Sequence, residues 1–404
     1  MSESMSEYSG RKAYKYKINP TTAQAAALDA TLWRCRTLYN VALEQRKTWW
    51  QRGEGKSPTR FQQEAELKAI RAEMPEYDAI HSHVLQDVVA RLDKSFQAFF
   101  RRVKAGQTPG YPRFQGRERY HSFTFKEYGN GARLEGTLEG NQENGFLVVS
   151  KIGRLAIRLH RPLVGTPKTV TISREADGWY VIIVRANVPV QPLPPTGRET
   201  GIDVGVKVFL ITAHGLVVEN PRHFRKGERR VAKADKAVAR CQKGSHGRRK
   251  AVTRRAKAYQ HVKRQRADFH HKVALQLIQE NDVIYLEDLQ VANMVRRPAP
   301  KPDGQGGYLP NGAKRKAGLN KSISDAGWGQ FRSILEAKAA WAGRQVRAIP
   351  PAYTSQDCSG CGERVPKSLS VRTHVCPSCG LVLDRDENAA INILRAGQAR
   401  WGLT

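Results

Sequence analysis

The sequence predicts a multidomain protein, α+β in its first half and α/β in its second. Three observations predict it: helical periodicity up to about residue 104, alternating strand patterns across 146–185, and later apolar strands that end in carboxylates and are separated by helices. The 404 residues leave room for two or three domains of roughly 100–200 residues each, with cores that need no disulfide staples. Lysine and arginine total 68 against 37 acids, a net charge of +31. Such a surface repels itself unless a polyanion covers it, so nucleic acid is the expected partner. No stretch approaches ~18 apolar residues and the opening MSESMSEYSG is polar, so neither a membrane span nor a secretory signal is expected.

The elements follow in order. Residues 13–18 alternate as a strand, Asn19-Pro20 turns the chain, and Thr21 or Thr22 can cap a helix. Leu28, Leu32, Cys35, Tyr39 and Leu43 mark one buried helical face. A second helix is predicted over Ser82–Lys104, with Val84, Leu85, Val88, Leu92, Phe96 and Phe99 inward and Arg91, Lys94, Arg101 and Arg102 outward. From Tyr111 the composition shifts to Gly, Pro and aromatics. Strands are then expected at 146–151, 154–159, 169–173 and 179–185, the last two joined around Ala176-Asp177-Gly178, as a mostly antiparallel barrel or sheet. The proline-rich run 189–195 favours an extended linker and a domain boundary just before Gly201.

Between Arg222 and Arg266 stand 18 lysines and arginines against two acids, Glu228 and Asp235, in a helical hairpin pattern broken at Gly244 and Gly247. A solvated helical face explains most short charge runs, but one this long and single-signed calls for phosphates nearby. Arg229, Arg230, Arg248, Arg249, Arg254 and Arg255 are the candidate contacts. Residues 296–321, rich in Pro, Gly and Lys with no apolar period, read as a mobile loop.

Chemistry concentrates in three acids and four cysteines. Asp203 stands inside an otherwise apolar strand, Glu287 ends the apolar run that starts at Asp282, and Asp386 opens an amphipathic helix. A buried carboxylate is costly unless paired or metal-bound. Three hard oxygen donors suit a pair of Mg2+ ions, with Mn2+ able to substitute, and the set resembles an RNase H-like nuclease that hydrolyses phosphodiesters. Asp384, two residues upstream, reads as a turn or capping acid. Cys358-x-x-Cys361, fourteen residues, then Cys376-x-x-Cys379 has the spacing of a ribbon closing on one structural Zn2+. Arg364, Lys367 and Arg372 are expected to offset its charge, and His374 reads as a bystander.

Aromatics at Trp49, Trp50, Tyr111, Phe114, Tyr120, Phe123 and Phe125 interleave with Arg113, Arg117, Arg119 and Lys126, a mixture suited to base stacking beside phosphate contacts. Core packing is the safer reading for most of these rings. Ser82 and Gln86, one turn apart, could reach base edges or face water.

The ordered set Gly201-Ile202-Asp203-Val204-Gly205, Glu287, Ser322-Ile323-Ser324-Asp325-Ala326-Gly327-Trp328-Gly329, the two Cys-x-x-Cys pairs and D-R-D-E-N-A-A resembles the TnpB family of transposon proteins, relatives of type V CRISPR effectors. Residues 14–20 and 110–114 resemble that family's N-terminal half. The resemblance implies a wedge β-barrel (1–20 and 108–195) interrupted by a helical recognition domain (21–107). It then implies a RuvC-like nuclease domain (196–353 and 382–404) carrying a zinc ribbon (354–381).

It further implies a monomeric, prokaryotic, cytoplasmic and nucleoid-associated RNA-guided DNA endonuclease. A transposon-end guide RNA and double-stranded target DNA are the partners, and Asp203, Glu287 and Asp386 the catalytic acids. Residues 296–321 look long for that family and follow Glu287, so they are expected to act as a lid ordered when the guide duplex reaches the nuclease pocket. Base pairing then reads sequence, so the protein mainly needs a basic channel for an A-form duplex. Ser82, Gln86 and Thr124 are the positions implied for reading a short target-adjacent motif. Two other readings use the same features: a guide-bound repressor without cleavage, and a transposase that joins DNA ends.

Overall fold

The computed structural model describes residues 9–54, 57–136, 144–368 and 371–401; most of the polar leader lies outside them. The chain forms two compact units, Met1–Pro189 and Val190–Thr404.

In the first unit β1 (Ser9–Asn19) buries alternate residues Tyr14, Tyr16 and Ile18. Thr21 then starts α1 (Thr22–Trp49) with a capping box: its hydroxyl accepts from Gln24 N while the Gln24 side chain accepts from Thr21 N. All five positions of the predicted face, Leu28, Leu32, Cys35, Tyr39 and Leu43, are buried. The same Thr–Gln box at Thr59 and Gln62 starts α2 (Arg60–Glu73), and α3 (Pro75–Asp78) follows. Helix α4 (Ser82–Lys104) has the predicted bounds and inward face, although Phe99 is only half-buried. Arg91 differs from the expectation of an outward group. Its guanidinium lies 2.7 Å from Asp87 and donates to Ser122 O at 2.6 Å, clamping α4 to the sheet.

The strands β2 (Ser122–Phe125), β3 (Ala132–Glu135), β4 (Asn144–Val149), β5 (Gly153–Arg158), β6 (Thr166–Glu175) and β7 (Gly178–Pro189) join β1 in one antiparallel sheet of order β2-β6-β7-β1-β5-β4-β3. The edge strands β2 and β3 are joined by residues 126–131 alone. In a flat sheet six strand spacings of ~4.8 Å would separate them by about 29 Å. The connection could span at most ~25 Å fully extended. It is not extended, since Tyr128 N donates to Lys168 O and Gly129 N to Ala132 O. The sheet therefore coils into a nearly closed barrel.

The second unit opens with an antiparallel meander, β8 (Glu199–Val204), β9 (Val208–Thr212) and β10 (Val217–Glu219), followed by the basic helices α5 (His223–Arg240) and α6 (His246–Glu280). Next, β11 (Val283–Glu287) returns parallel to β8. Then come α7 (Val291–Met294), the short pair β12 (Lys301–Pro302) and β13 (Tyr308–Leu309), α8 (Ala313–Ala326), α9 (Trp328–Trp341) and β14 (Gln345–Ile349), parallel to β11. The hairpin β15 (Thr373–Val375) and β16 (Val382–Asp384) leads into α10 (Arg385–Trp401). The sheet order β10-β9-β8-β11-β14 puts β8 and β11 at its centre.

Several expectations change here. The proline-rich run is docked: Leu193 N donates to Ala342 O at 3.0 Å and Arg344 Nη2 to Pro194 O at 2.6 Å, so the unit boundary falls after Pro189 rather than just before Gly201. Gly247 does not break the hairpin; the turn spans 241–245, and Ser245 Oγ caps α6 by accepting from Arg248 N at 3.1 Å. Helix α6 continues to Glu280 because Val273, Ala274, Leu277 and Ile278 are buried. Residues 296–321 are not one loop, since α8 starts at Ala313 within them. Lys316 Nζ donates to Met294 O at 2.6 Å and Asn320 Nδ2 to Val295 O at 2.7 Å, anchors that no apolar period announces.

Candidate metal centres and nucleic-acid interface

Register alone brings two of the acids together. In the parallel pair β8–β11, Ile202 faces Leu286, so Asp203 and Glu287 are the next neighbours at the same end of the ladder. Helix α10 crosses both strands because glycines remove the side chains that would block it. A Cβ on Gly397 would overlap the Tyr285 ring, and one on Gly201 would overlap the α10 backbone. A glycine inside a helix costs about 1 kcal/mol, which this close approach explains. Asp386, in the first turn of α10, is thereby carried to the end of the ladder; a Cβ on Gly205 would lie 4.0 Å from its Oδ2.

The three carboxylates are half-buried. Burial, then the charges of Glu287 and Asp386, holds the Asp203 pKa well above the ordinary carboxylate range. Burial also raises Glu287, against a hydrogen bond from Thr354 Oγ1 at 2.5 Å. It raises Asp386 against Arg372, whose Nη1 lies 3.3 Å from Oδ2. Asp384 is the helix cap expected of it, its Oδ1 accepting from Asp386 N at 2.8 Å.

The cysteines form a tighter cluster. The Sγ pairs Cys358–Cys379 and Cys361–Cys376 are each 3.6 Å apart. That excludes disulfides at ~2.05 Å and suits a tetrahedral ion with ~2.3 Å bonds, whose sulfurs would stand about 3.8 Å apart. The two Cys-x-x-Cys segments form matching turns: Gly362 N donates to Cys358 O and Gly380 N to Cys376 O, each glycine at positive φ. Among the described residues this is the only group of three or more His, Cys, Asp or Glu side chains whose ligand atoms all lie within 4.8 Å of one another; the three acids do not form so tight a group. Of the three expected counter-charges, Lys367 interacts with Cys358 and Cys376, whereas the other two hold acids. Arg364 pairs with Asp357 at 2.8 Å and Arg372 with Asp386. His374 is buried against Lys367 and takes no place in the cluster.

The predicted nucleic-acid contacts divide. Arg229, Arg230, Arg249 and Arg254 are exposed on the basic hairpin, as is Arg113 in the first unit. Arg248 is engaged internally, its Nη1 donating to Val238 O at 2.7 Å and Cys241 O at 3.1 Å, and Arg255 lies 3.8 Å from Asp235. Ser82 and Gln86 line a cavity of about 450 Å³ with Glu64, Leu67, Arg71 and Asp78. Thr124 departs from the expectation: its hydroxyl is held by Arg91 Nη2 at 2.8 Å and Thr171 Oγ1 at 2.9 Å within the sheet. Among the aromatics, Tyr120, Phe123 and Phe125 are buried, whereas Trp49, Trp50, Tyr111 and Phe114 are exposed.

Sequence reasoning missed the role of Asp325. Its two oxygens accept from Phe224 N at 2.8 Å and Arg225 N at 3.1 Å, capping the basic helix α5 from a hundred residues away. Its own segment gives a signal, an acid between the apolar Ile323 and Ala326.

Comparison with known proteins decides the family. Residues 9–56 match a model described as "Helix-turn-helix domain", 180–297 one described as "Probable transposase" and 328–393 one described as "Cas12f1-like, TNB domain". A protein of Streptomyces pristinaespiralis named "Putative RNA-guided DNA endonuclease" is 34% identical over 396 residues, covering 96% of this chain and 90% of its own. The chain belongs to the TnpB family. A second relative of this TnpB-family chain, "Putative RNA-guided DNA endonuclease InsQ" of Escherichia coli K12, is 29% identical over 397 residues, covering 96% of this chain and 92% of its own. A solved structure of "the mini-RNA-guided endonuclease CRISPR-Cas_phi3" shares the fold at TM-score 0.55 and 10% identity, over 98% of this chain and 93% of the other. In this TnpB-family chain the segment matched as helix-turn-helix is built as strand β1, one 28-residue helix and a π-helical turn.

Proposed function

We propose that this chain is an RNA-guided DNA endonuclease that binds a transposon-end guide RNA, reads a short target-adjacent motif, and hydrolyses phosphodiester bonds of both DNA strands at Asp203, Glu287 and Asp386. The observation that carries this reading is the convergence of those carboxylates at one end of the central strands β8 and β11, in a chain whose family relatives are named RNA-guided DNA endonucleases. The mixed five-stranded sheet with its acids on the central pair supports an RNase H-like, RuvC-type domain. The position of β1 between β5 and β7, with four helices intervening in sequence, supports a wedge barrel interrupted by a recognition domain.

The donor set fits magnesium: three carboxylates on two strands and a helix, all hard oxygen ligands. Such a carboxylate set would hold a pair of these ions, as expected from the sequence. When bound, such ions supply Lewis acidity toward the phosphate and a more acidic water. The protein's own groups do the rest. Arg372 and the exposed Lys207 place positive charge beside Asp386, where an anionic backbone must approach. The exposed arginines of α5 and α6 offer phosphate contacts that carry no sequence information, as guide-directed recognition requires. Four thiolates around one Zn2+ leave no open position, so that centre is structural.

Sequencing the RNA that co-purifies with the protein tests the guided reading. One species with a constant part and a variable end is expected; bulk cellular RNA would refute guidance.

A further inference from the structure

We infer that Thr354, Asn388 and Asn392 are positioning residues that make the geometry of Glu287 and Asp386 depend on the closed four-cysteine module. The inference rests on the nuclease reading above and specifies what holds that site in shape.

Thr354 is 8% exposed and lies in the segment between β14 and the first cysteine. Its hydroxyl donates to Glu287 Oε1 at 2.5 Å, across 67 residues of sequence, which fixes one carboxylate oxygen and leaves the other available. The same residue is held from behind. Asn392 Nδ2 donates to Thr354 O at 2.9 Å and to Asp357 O at 2.6 Å. One turn earlier on the same face of α10, the fully buried Asn388 donates from Nδ2 to Asp357 O at 2.9 Å and accepts from Ser359 N at 2.9 Å.

Ser359 and Asp357 flank Cys358, so the first cysteine turn is latched onto α10 two residues beyond Asp386. The buried Arg385 adds to the latch, donating to Ser368 O at 3.0 Å and Ser355 Oγ at 3.2 Å. The contacts form one continuous path: cysteine turn, paired asparagines, helix start with Asp386, and Thr354 with Glu287. Only an amide can both donate to the Asp357 carbonyl and accept from the Ser359 N–H in this arrangement, so Asp or Leu cannot replace Asn388.

The test uses the full chain with its co-purified RNA, titrated with magnesium chloride, reading melting temperature and guide-programmed DNA cutting for the wild type, Thr354→Val and Thr354→Ser. Thr354→Val is expected to need about 10–100-fold more magnesium in both readouts, with RNA retention and zinc content unchanged, and Thr354→Ser is expected to restore both. Wild-type magnesium dependence in the valine variant overturns the inference, as does a serine variant that fails like valine. Should the valine variant not fold, a zinc-selective chelator applied to the wild type decides: a raised magnesium requirement supports the coupling and an unchanged one overturns it. A wild type indifferent to magnesium in both readouts would instead remove the nuclease reading.

Discussion

The backbone of Gly201 lies against the carbonyl of Ala390, so close that a β-carbon on Gly201 would sit inside the van der Waals envelope of that oxygen and of Leu394 N. Neither backbone atom can rotate away. Gly201→Ala is therefore expected to lift α10 from β8, costing about 1–3 kcal/mol and reducing cutting at least tenfold by moving Asp386 relative to Asp203. Urea melts and single-turnover cleavage measure the two effects, and wild-type values in both would contradict this account of the glycine.

Asp203 ties stability to pH and metal. Burial, reinforced by Glu287 and Asp386, raises its folded pKa, so the folded chain keeps this proton when the unfolded chain has lost it. The associated stability is complete below the unfolded value of about 4 and is lost as pH rises through the raised folded pKa. In magnesium-free buffer at neutral pH, Asp203→Asn should melt above the wild type, and magnesium should raise the wild-type melting temperature more than the variant's. A variant that melts lower without magnesium and responds to it fully would contradict the site.

His270 acts in the opposite direction. Its ring is fully buried, stacks on Phe209 with centroids 5.4 Å apart, and donates from Nε2 to Ala326 O at 2.9 Å. Burial pushes its pKa down to about 4. The neutral ring therefore contributes stability above the unfolded value of about 6.5, and this is lost as pH falls through the folded pKa. Urea midpoints measured over that range should fall less steeply for His270→Gln than for wild type; equal slopes would count against a buried neutral ring.

The cap on α5 should control how the basic hairpin meets RNA. Asp325→Ala is expected to destabilise the second unit by about 1–2 kcal/mol and to weaken guide-RNA binding. Replacing Arg229, Arg230, Arg249 and Arg254 with Gln should leave melting unchanged but flatten the dependence of log affinity on log salt, by roughly 0.7–0.9 for each phosphate contact removed. Filter binding across a salt series measures the slope, and an unaltered slope would place the RNA elsewhere.

Much of this molecule is legible in the sequence where signals are local. The bounds of α4 follow from its apolar period, the cysteine cluster from its spacing, and Asp203 and Glu287 from acids set in apolar strands. What stays hidden acts over long separations. Asp325 caps a helix 101 residues away, and Thr354 holds a carboxylate 67 residues away; neither leaves a periodic trace. Helix α8 escapes notice because Gly312 and Gly318 and the basic run Lys314-Arg315-Lys316 mask it, and its anchors are polar bonds to Met294 and Val295. Thr124 and Arg248 illustrate the converse, polar groups that look available in sequence and are engaged inside their own units.

The central claim is that three distant carboxylates act together on a phosphodiester. Its most direct measurement is cleavage of a guide-matched plasmid in magnesium by the wild type and by Asp203→Ala carrying the same RNA. The account predicts that the wild type linearises the plasmid while the variant binds it and leaves it intact; equal cutting by both would contradict the assignment of the site.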